Sequence, residues 1–249
     1  MIGIIGYGMV GRAVENAFNG CEVIISDPAY GYTDLHDVVS ANPEAIFVCV
    51  PTPTDNTKYK LLTGILDDLK QLNYQGIVVI KSTILPQYLE GYNNLVYNPE
   101  FLSRATANLD FIDPPFVLLG GPSELTRKVA DLYRKYSKVR LEKIIYTDLK
   151  TASFAKYIMN SFYATKVTFM NQMYDVATKE GVDWNSIVGI LKQQPWMGTH
   201  HFQVPGPDGQ RGFGGPCLPK DTDALVQEYD IELLKKVLEI NGTYRDGTD

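Results

Sequence analysis

The chain opens on a stretch that leaves few folds available to it. An apolar run at residues 2–5 is followed by Gly6-Tyr7-Gly8-Met9-Val10-Gly11 and then by apolar residues at helical spacing through Phe18. That order predicts a strand, a tight glycine turn and a helix, the opening unit of an α/β sheet. Gly6 permits the turn, Gly8 lets a pyrophosphate come up to the main chain, and Gly11 lets helix and strand pack closely. The amides of Met9 and Val10 open the helix and face the phosphates. Residues 22–26 read as the next strand, which Asp27 ends. An acid there accepts both ribose hydroxyls of NAD and repels the 2′-phosphate of NADP, although Asp27-Pro28 would start a turn in any case.

Further alternation follows. A strand over 45–50 ends in Pro51-Thr52-Pro53, at the kind of strand end where open α/β sheets bind ligands. A helix is expected over 61–72, then a strand over 77–80 ending in Lys81-Ser82-Thr83. Those hydroxyls either reach a cofactor or substrate or cap the turn that Pro86 continues. After a short strand at 95–97, Asn98 as N-cap, Pro99 in the first helical position and Glu100 at the dipole's positive end read as a helix start. A strand at 116–119, a helix at 123–136 and a strand at 143–147 complete the pattern of a parallel sheet.

From Asp148 the character changes. Asp148 caps a long helix expected to run to about residue 180 and stop at Gly181, with no strand signal after it. Lys156 and Asn160, four apart, share one face of that helix among Phe154, Tyr157, Ile158 and Phe162. Polar residues so placed are usually solvated, and these matter only if their face meets a reactive group. A helix over 183–192, a long loop over 193–211 and short helices over 222–229 and 231–240 close the chain. Adjacent His200 and His201 lack further ligands and read as loop residues, with no metal site. The expected architecture is a Rossmann-type α/β domain over 1–147 and an all-helical domain over 148–249.

The chemistry centres on residues 212–221, Gly-Phe-Gly-Gly-Pro-Cys-Leu-Pro-Lys-Asp. Pro219 suits a helix's first turn, which puts Cys217 just before a helix N-terminus and Asp221 inside its first turn. Free amides and Lys220 favour thiolate over thiol, and the thiolate is the nucleophile. Cys21 and Cys49 lie among apolar residues and read as small buried hydrophobes. Three cysteines at unrelated spacings make no disulfide framework, and a net charge of −6 argues against a nucleic-acid scaffold. Met1 leads directly into a strand and no apolar run reaches membrane-spanning length, so neither a signal peptide nor a membrane partner is expected, and a cytoplasmic setting is.

Taken together, Gly6-x-Gly8-x-x-Gly11, Pro51-Thr52-Pro53, Lys81-Ser82-Thr83, Asn98-Pro99-Glu100-Phe101-Leu102, Lys156-Tyr157 with Asn160, and residues 212–221 resemble the UDP-glucose/GDP-mannose dehydrogenase family. The resemblance runs from Gly6 to about Ile240. It implies NAD as cofactor, a nucleotide sugar such as UDP-glucose as substrate, and a homodimer formed through the long helix. It implies oxidation of the sugar's C6 alcohol to a carboxylate, with Cys217 holding the intermediate. Lys156 and Asn160 then steady the oxyanion, Asp221 and Thr83 surround the base and the water, and Glu100 activates that water. Pro51, Thr52, Pro53, Ser82 and Thr83 fall to the cofactor, and Phe101, Leu102, Phe213, Gly214 and Lys220 to the substrate.

Some positions depart from the family pattern. Arg104 stands where a second glutamate is common, Ser153 and Gln172 stand at helix positions that commonly carry Glu, and Gln87 replaces a glycine. Family members also continue into a second Rossmann-like domain that grips the nucleotide, and this chain stops before it. The competing expectations are a two-electron dehydrogenase of the β-hydroxyacid or 6-phosphogluconate type, which has no nucleophilic cysteine, and an NAD-binding module or half of a split enzyme that a separate nucleotide-binding chain completes.

Overall fold

Short, mostly apolar runs form the inner strands, buried on both faces as strands covered by helices are, while the two edge strands are partly exposed. The computed structural model describes residues 1–53, 59–102 and 106–245. The chain divides into two units, Met1–Lys156 and Tyr157–Asp249. In the first, the order is β1 (Ile2–Ile5), α1 (Met9–Ala17), β2 (Val23–Ser26), α2 (Leu35–Ser40), β3 (Ala45–Val48), α3 (Lys60–Gln71), β4 (Ile77–Ile80), β5 (Leu95–Tyr97), α4 (Ala107–Ile112), β6 (Val117–Gly120), α5 (Ser123–Tyr136) and β7 (Ile144–Thr147).

These strands form one seven-stranded sheet in the order β2-β1-β3-β4-β5-β6-β7. All neighbours run parallel except β5 and β6, which meet antiparallel at Tyr97 and Gly120. The expected all-parallel sheet is corrected at this one pairing, because an apolar run carries no record of its direction. The chain leaves β1 for β2 on one side and reaches β3 on the other. This reversal opens a crevice at the carboxyl ends of β1 and β3, where such sheets bind ligands.

On one face of the sheet Ile2, Ile4, Phe47, Val79 and Val96 pack against Val14 and Phe18 of α1 and Val129 and Tyr133 of α5. The Phe18 ring lies 5.1 Å from Phe47 and 4.9 Å from Tyr133. Alternate residues turn to the other face. There Val38 of α2 sits so close that a Cβ on Gly3 would come 2.8 Å from its Cγ1. Helix α2, capped by the Asp34 carboxylate on the Asp37 amide, was not legible as a helix because six residues are too few to show a period.

The helix α6 (Leu149–Lys179) crosses from the first unit into the second. Asp148 caps it as expected, accepting from the Thr151 amide at 2.8 Å and the Thr151 hydroxyl at 2.6 Å. Gly181 ends it at φ 66°, with the Val182 amide returning to the Ala177 carbonyl. In the second unit follow α7 (Trp184–Leu191), α8 (Leu218–Tyr229) and α9 (Glu232–Arg245). Met170 and Ala177 pack with Trp184, Val188, Phe202 and Val204, while Ala164, Phe213 and Val237 form a second cluster. Ile158, Phe162, Phe169, Met173 and Val176 form an exposed apolar ridge along one face of α6. Among the described residues no helix is long and apolar enough to cross a membrane.

Candidate active site

The three glycines of the first turn have different structural reasons. Gly6 has φ 90°, and a Cβ there would lie 2.9 Å from the Val50 amide nitrogen, where the end of β3 passes over the turn. A Cβ on Gly11 would come 2.1 Å from the Gly6 carbonyl oxygen, so helix and turn touch only because it is absent. Gly8 has φ −73°, open to any residue, and a Cβ there meets nothing within 4 Å. Nothing in the protein requires glycine at that position. Its bareness leaves the first-turn amides of α1, which have no intrahelical acceptors, open to a group from outside the chain, and this fits a pyrophosphate.

Asp27 stands beside this turn at the end of β2. Its Oδ2 accepts the Tyr7 amide at 2.6 Å and its Oδ1 the Ala29 amide at 3.0 Å, capping a 3-10 turn at Pro28–Tyr30. The Asp-Pro turn is therefore present, and it holds the acid against the glycine loop with a lone pair to spare on each oxygen. Pro51 and Pro53 are exposed and Thr52 is buried. The Ser82 hydroxyl donates to the Val50 carbonyl at 2.6 Å, tying the ends of β4 and β3 together. The 3-10 turn at Pro86–Leu89 has no side-chain cap, so capping is not what Ser82 does. Thr83, next along, is half-buried, as is Gln87.

The helix expected to start at Asn98 does not form there; the next helix is α4, from Ala107. The Asn98 side chain is committed elsewhere. Its Oδ1 accepts from Lys81 Nζ at 3.1 Å and from the Tyr133 hydroxyl at 2.7 Å, and its Nδ2 donates to the Leu118 carbonyl at 2.9 Å. Two residues on, the Glu100 carbonyl accepts from Lys156 Nζ at 2.6 Å, and that ammonium lies 4.0 Å from Glu100 Oε1. Glu100 Oε2 accepts the Leu102 amide at 2.6 Å. Lys156 also sits 5.0 Å from the centre of the Phe101 ring, which leans on Phe116. Burial draws the Lys81 pKa down to about 8 and pushes the Cys49 thiol up to about 12, in keeping with an inert core cysteine. The Ser153 hydroxyl is used on the Ile84 carbonyl. Arg104 lies outside the described residues.

In the second unit Cys217 is the N-cap of α8, with Pro219 in the helix's first turn. That helix begins at Leu218, four residues before the start expected from periodicity, because Pro219 and Lys220 belong to its first turn. Asp221, one turn from the cysteine, donates its amide to the Cys217 carbonyl at 2.9 Å. Its carboxylate is 1% exposed, accepts from Asn160 Nδ2 at 2.5 Å and pairs with the Lys220 ammonium. Asn160 on α6 is thus set by the turn that carries Cys217. None of the three cysteines forms a disulfide.

The glycines ahead of Cys217 are accounted for mostly by α9. A Cβ on Gly212 would lie 2.5 Å from Asn241 Oδ1, and one on Gly214 would lie 2.8 Å from the Arg245 guanidinium. Gly215, at φ 76°, faces open space. Buried Phe213 is held through its backbone: its amide donates to Asn241 Oδ1 at 2.7 Å and its carbonyl accepts from Asn241 Nδ2 at 2.9 Å. On the other side the Gly212 amide donates to Asn171 Oδ1 at 3.0 Å. Sequence reading missed these braces. The available signal was a single asparagine at 241 on the apolar stripe of Leu234 and Val237. In the preceding loop His201 stacks on Tyr163 with ring centres 4.6 Å apart, and His200 is exposed. Gln172 is exposed on α6.

An α/β unit with a glycine turn shaped for a dinucleotide, followed by a helical unit with a cysteine at a helix N-terminus, defines an NAD-binding dehydrogenase fold. Residues 31–137 match the NAD binding domain, and residues 150–243 the central domain, of the UDP-glucose/GDP-mannose dehydrogenase family. The chain belongs to that family, whose members are NAD-dependent oxidoreductases. It is 30% identical over 224 residues to a UDP-glucose 6-dehydrogenase of Bacillus subtilis, covering 81% of this chain and 49% of that one. It is 32% identical over 232 residues to the UDP-glucose 6-dehydrogenase of Rickettsia felis, covering 84% and 50%. The chain therefore spans about half the length of the curated relatives it matches. Among solved structures, a UDP-glucose dehydrogenase from Pyrobaculum islandicum shares the fold with a TM-score of 0.81 at 23% identity, over 97% of this chain and 68% of that one. The 3-hydroxyisobutyrate dehydrogenase of Mycobacterium tuberculosis shares it at 0.75 and 17% identity, over 98% and 93%.

Proposed function

We propose that this chain is the NAD-binding and central catalytic part of a nucleotide-sugar dehydrogenase that oxidises a sugar C6 alcohol to a carboxylate, with UDP-glucose the first substrate to try. Bound NAD supplies the hydride acceptor, one molecule for each of two oxidations. In this reading the Cys217 thiolate adds to the aldehyde carbon, forming a C–S bond and an alkoxide, which takes up a proton to become the thiohemiacetal. Loss of that proton and of a hydride leaves a thioester on Cys217. Water assisted by Glu100 breaks the C–S bond, releasing the carboxylate and restoring the thiol. Lys156 and Asn160 steady the negative oxygen at each addition, and Asp221 and Thr83 order the water and the proton it loses. Pro51, Thr52, Pro53 and Ser82 border the cofactor, while Phe101, Leu102, Phe213, Gly214 and Lys220 border the sugar.

What supports the reading is the Cys217 turn, with Asp221 buried one turn away and bonded to Asn160. A nucleophilic thiol, helix amides and an amide-held carboxylate have no use in a single hydride transfer. The two-electron alternative draws support from the likeness to 3-hydroxyisobutyrate dehydrogenase, whose chain is covered almost throughout. NADH released per substrate separates them, measured with purified protein, NAD and a panel of UDP- and GDP-sugars. Two equivalents are expected, and one equivalent overturns the reading. Binding of NAD with no turnover of any sugar moves the reading to a fragment, an NAD-binding module or half of a split enzyme. For the ridge on α6 the reading supplies a second copy of the chain as its cover, and for the whole it supplies a cytoplasmic setting, where nucleotide sugars and NAD are at hand.

A further inference from the structure

The turn that carries Cys217 is tied to one face of α6 on both sides of the cysteine. Asn160, Ala164, Val167 and Asn171 follow at helical spacing, and Asn171 lies eleven positions after Asn160, close to three turns of about 3.6 residues, so the four share that face. Its ends are polar and its middle is apolar. At one end Asn160 Nδ2 donates to the carboxylate of Asp221, which follows the cysteine. At the other, Asn171 Oδ1 accepts from the amide of Gly212, which precedes it. Between them Ala164 and Val167 pack in one cluster with Phe213 and Leu218, the residues that flank 214–217. Helix α9 closes the second side: Asn241 takes the Phe213 amide and carbonyl, and Arg245 Nη2 donates to the Gly212 carbonyl at 3.1 Å. Every main-chain N–H and C=O of buried Gly212 and Phe213 is thus paired with a side chain, where neither helix nor strand pairs it. A buried main-chain group left unpaired is costly, so this segment stays buried only while those side chains hold it. Asn171 is itself oriented, donating Nδ2 to the Val167 carbonyl at 2.9 Å and accepting Arg211 Nε on Oδ1 at 3.2 Å.

We infer that Asn171 and Asn241 are positioning residues: they fix the main chain of Gly212 and Phe213, so that Cys217 stands at a set place along α6, between Asn171 and the Asn160–Asp221 pair. This deepens the proposed function and rests on it for the purpose. A thiolate that adds to an aldehyde and then holds it for a second hydride transfer has to stand within about 0.5 Å of its productive place. The bonding also says which changes matter. Asn241→Asp keeps the size of the side chain and the acceptor for the Phe213 amide, but sets an oxygen against the Phe213 carbonyl where a donor stood. Asn171→Ala removes the acceptor of the Gly212 amide, and Asn171→Asp keeps it, beside the Arg211 guanidinium.

The test places a trifluoroacetonyl group on the Cys217 sulfur, in a Cys21→Ser, Cys49→Ala background of the full chain, and reads its 19F NMR line without substrate. One line is expected with both asparagines present. Asn241→Asp and Asn171→Ala are expected to shift or split it with circular dichroism unchanged, and Asn171→Asp to bring back the original line. A bond that only added stability would lower the midpoint of urea unfolding and leave the line of the folded protein in place. In the unlabelled chain, kcat for sugar oxidation is expected to fall about tenfold or more in Asn241→Asp, with the KM for NAD unchanged. Hydrogen exchange of wild type supplies a reading that needs no variant to fold: the Gly212 and Phe213 amides are expected to exchange at least ~10-fold more slowly than the amide of exposed Gly215. An unmoved line in both Asn241→Asp and Asn171→Ala, or equal exchange at the three amides, overturns the inference. Line and exchange need no substrate, so they stand apart from the proposed function: a moved line with no sugar oxidised by wild type keeps the two asparagines and removes the enzyme reading, and sugar oxidised with the line unmoved does the reverse.

Discussion

At the scale of single residues, the glycine turn separates what the fold needs from what a ligand needs. Gly11→Ala drives a methyl into the Gly6 carbonyl, backbone on both sides, and is expected to cost about 3 kcal/mol in urea unfolding. Gly8→Ala meets nothing and is expected to leave stability within about 0.5 kcal/mol while weakening NAD at least ~10-fold by calorimetry. Equal NAD affinity in Gly8→Ala and wild type would mean that no phosphate approaches there. As local structure, the glycine turn, the Asp27 cap and the helix start at Cys217 were legible because each needs a residue type at a fixed spacing. Asn98 was misread because its side chain answers to Lys81, Leu118 and Tyr133, contacts between residues far apart in sequence. Lys81 and Asn241 were passed over for the same reason: only burial sets them apart from surface lysines and asparagines.

At the scale of elements, long helices and buried strands showed themselves by periodicity. α6 came out within a residue or so at each end because Asp148 and Gly181 punctuate it. The short helices α2 and α4 did not, and the antiparallel meeting of β5 and β6 left no mark in either apolar run. The ridge of Ile158, Phe162, Phe169, Met173 and Val176 is the element-level feature with most consequence. Monomeric proteins seldom leave so continuous an apolar strip in water, and a strip on one helix is self-complementary across a two-fold axis. Light scattering at micromolar concentration is expected to give a dimer for wild type and a monomer for Phe162→Asp, with the circular dichroism of the two unchanged. A monomeric wild type removes the dimer.

At the scale of the whole molecule, the first unit carries the glycine turn and the second the cysteine at the start of α8, and the helix that carries Lys156 and Asn160 belongs to both. Fold class was legible in the sequence, and the likeness to a solved UDP-glucose dehydrogenase agrees with it. The central claim is that Cys217 takes the substrate covalently between two oxidations. It is tested most directly in Glu100→Gln, where hydrolysis is slowed, by acid-quenching the protein with NAD and UDP-glucose and weighing its peptides. The expected result is a hydroxylamine-labile mass on the peptide containing Cys217, absent without NAD and absent in Cys217→Ala, which is itself expected to bind NAD as wild type does. Formation of NADH by Glu100→Gln with Cys217 left unmodified, or acid formed at the wild-type rate by Cys217→Ala, would contradict it.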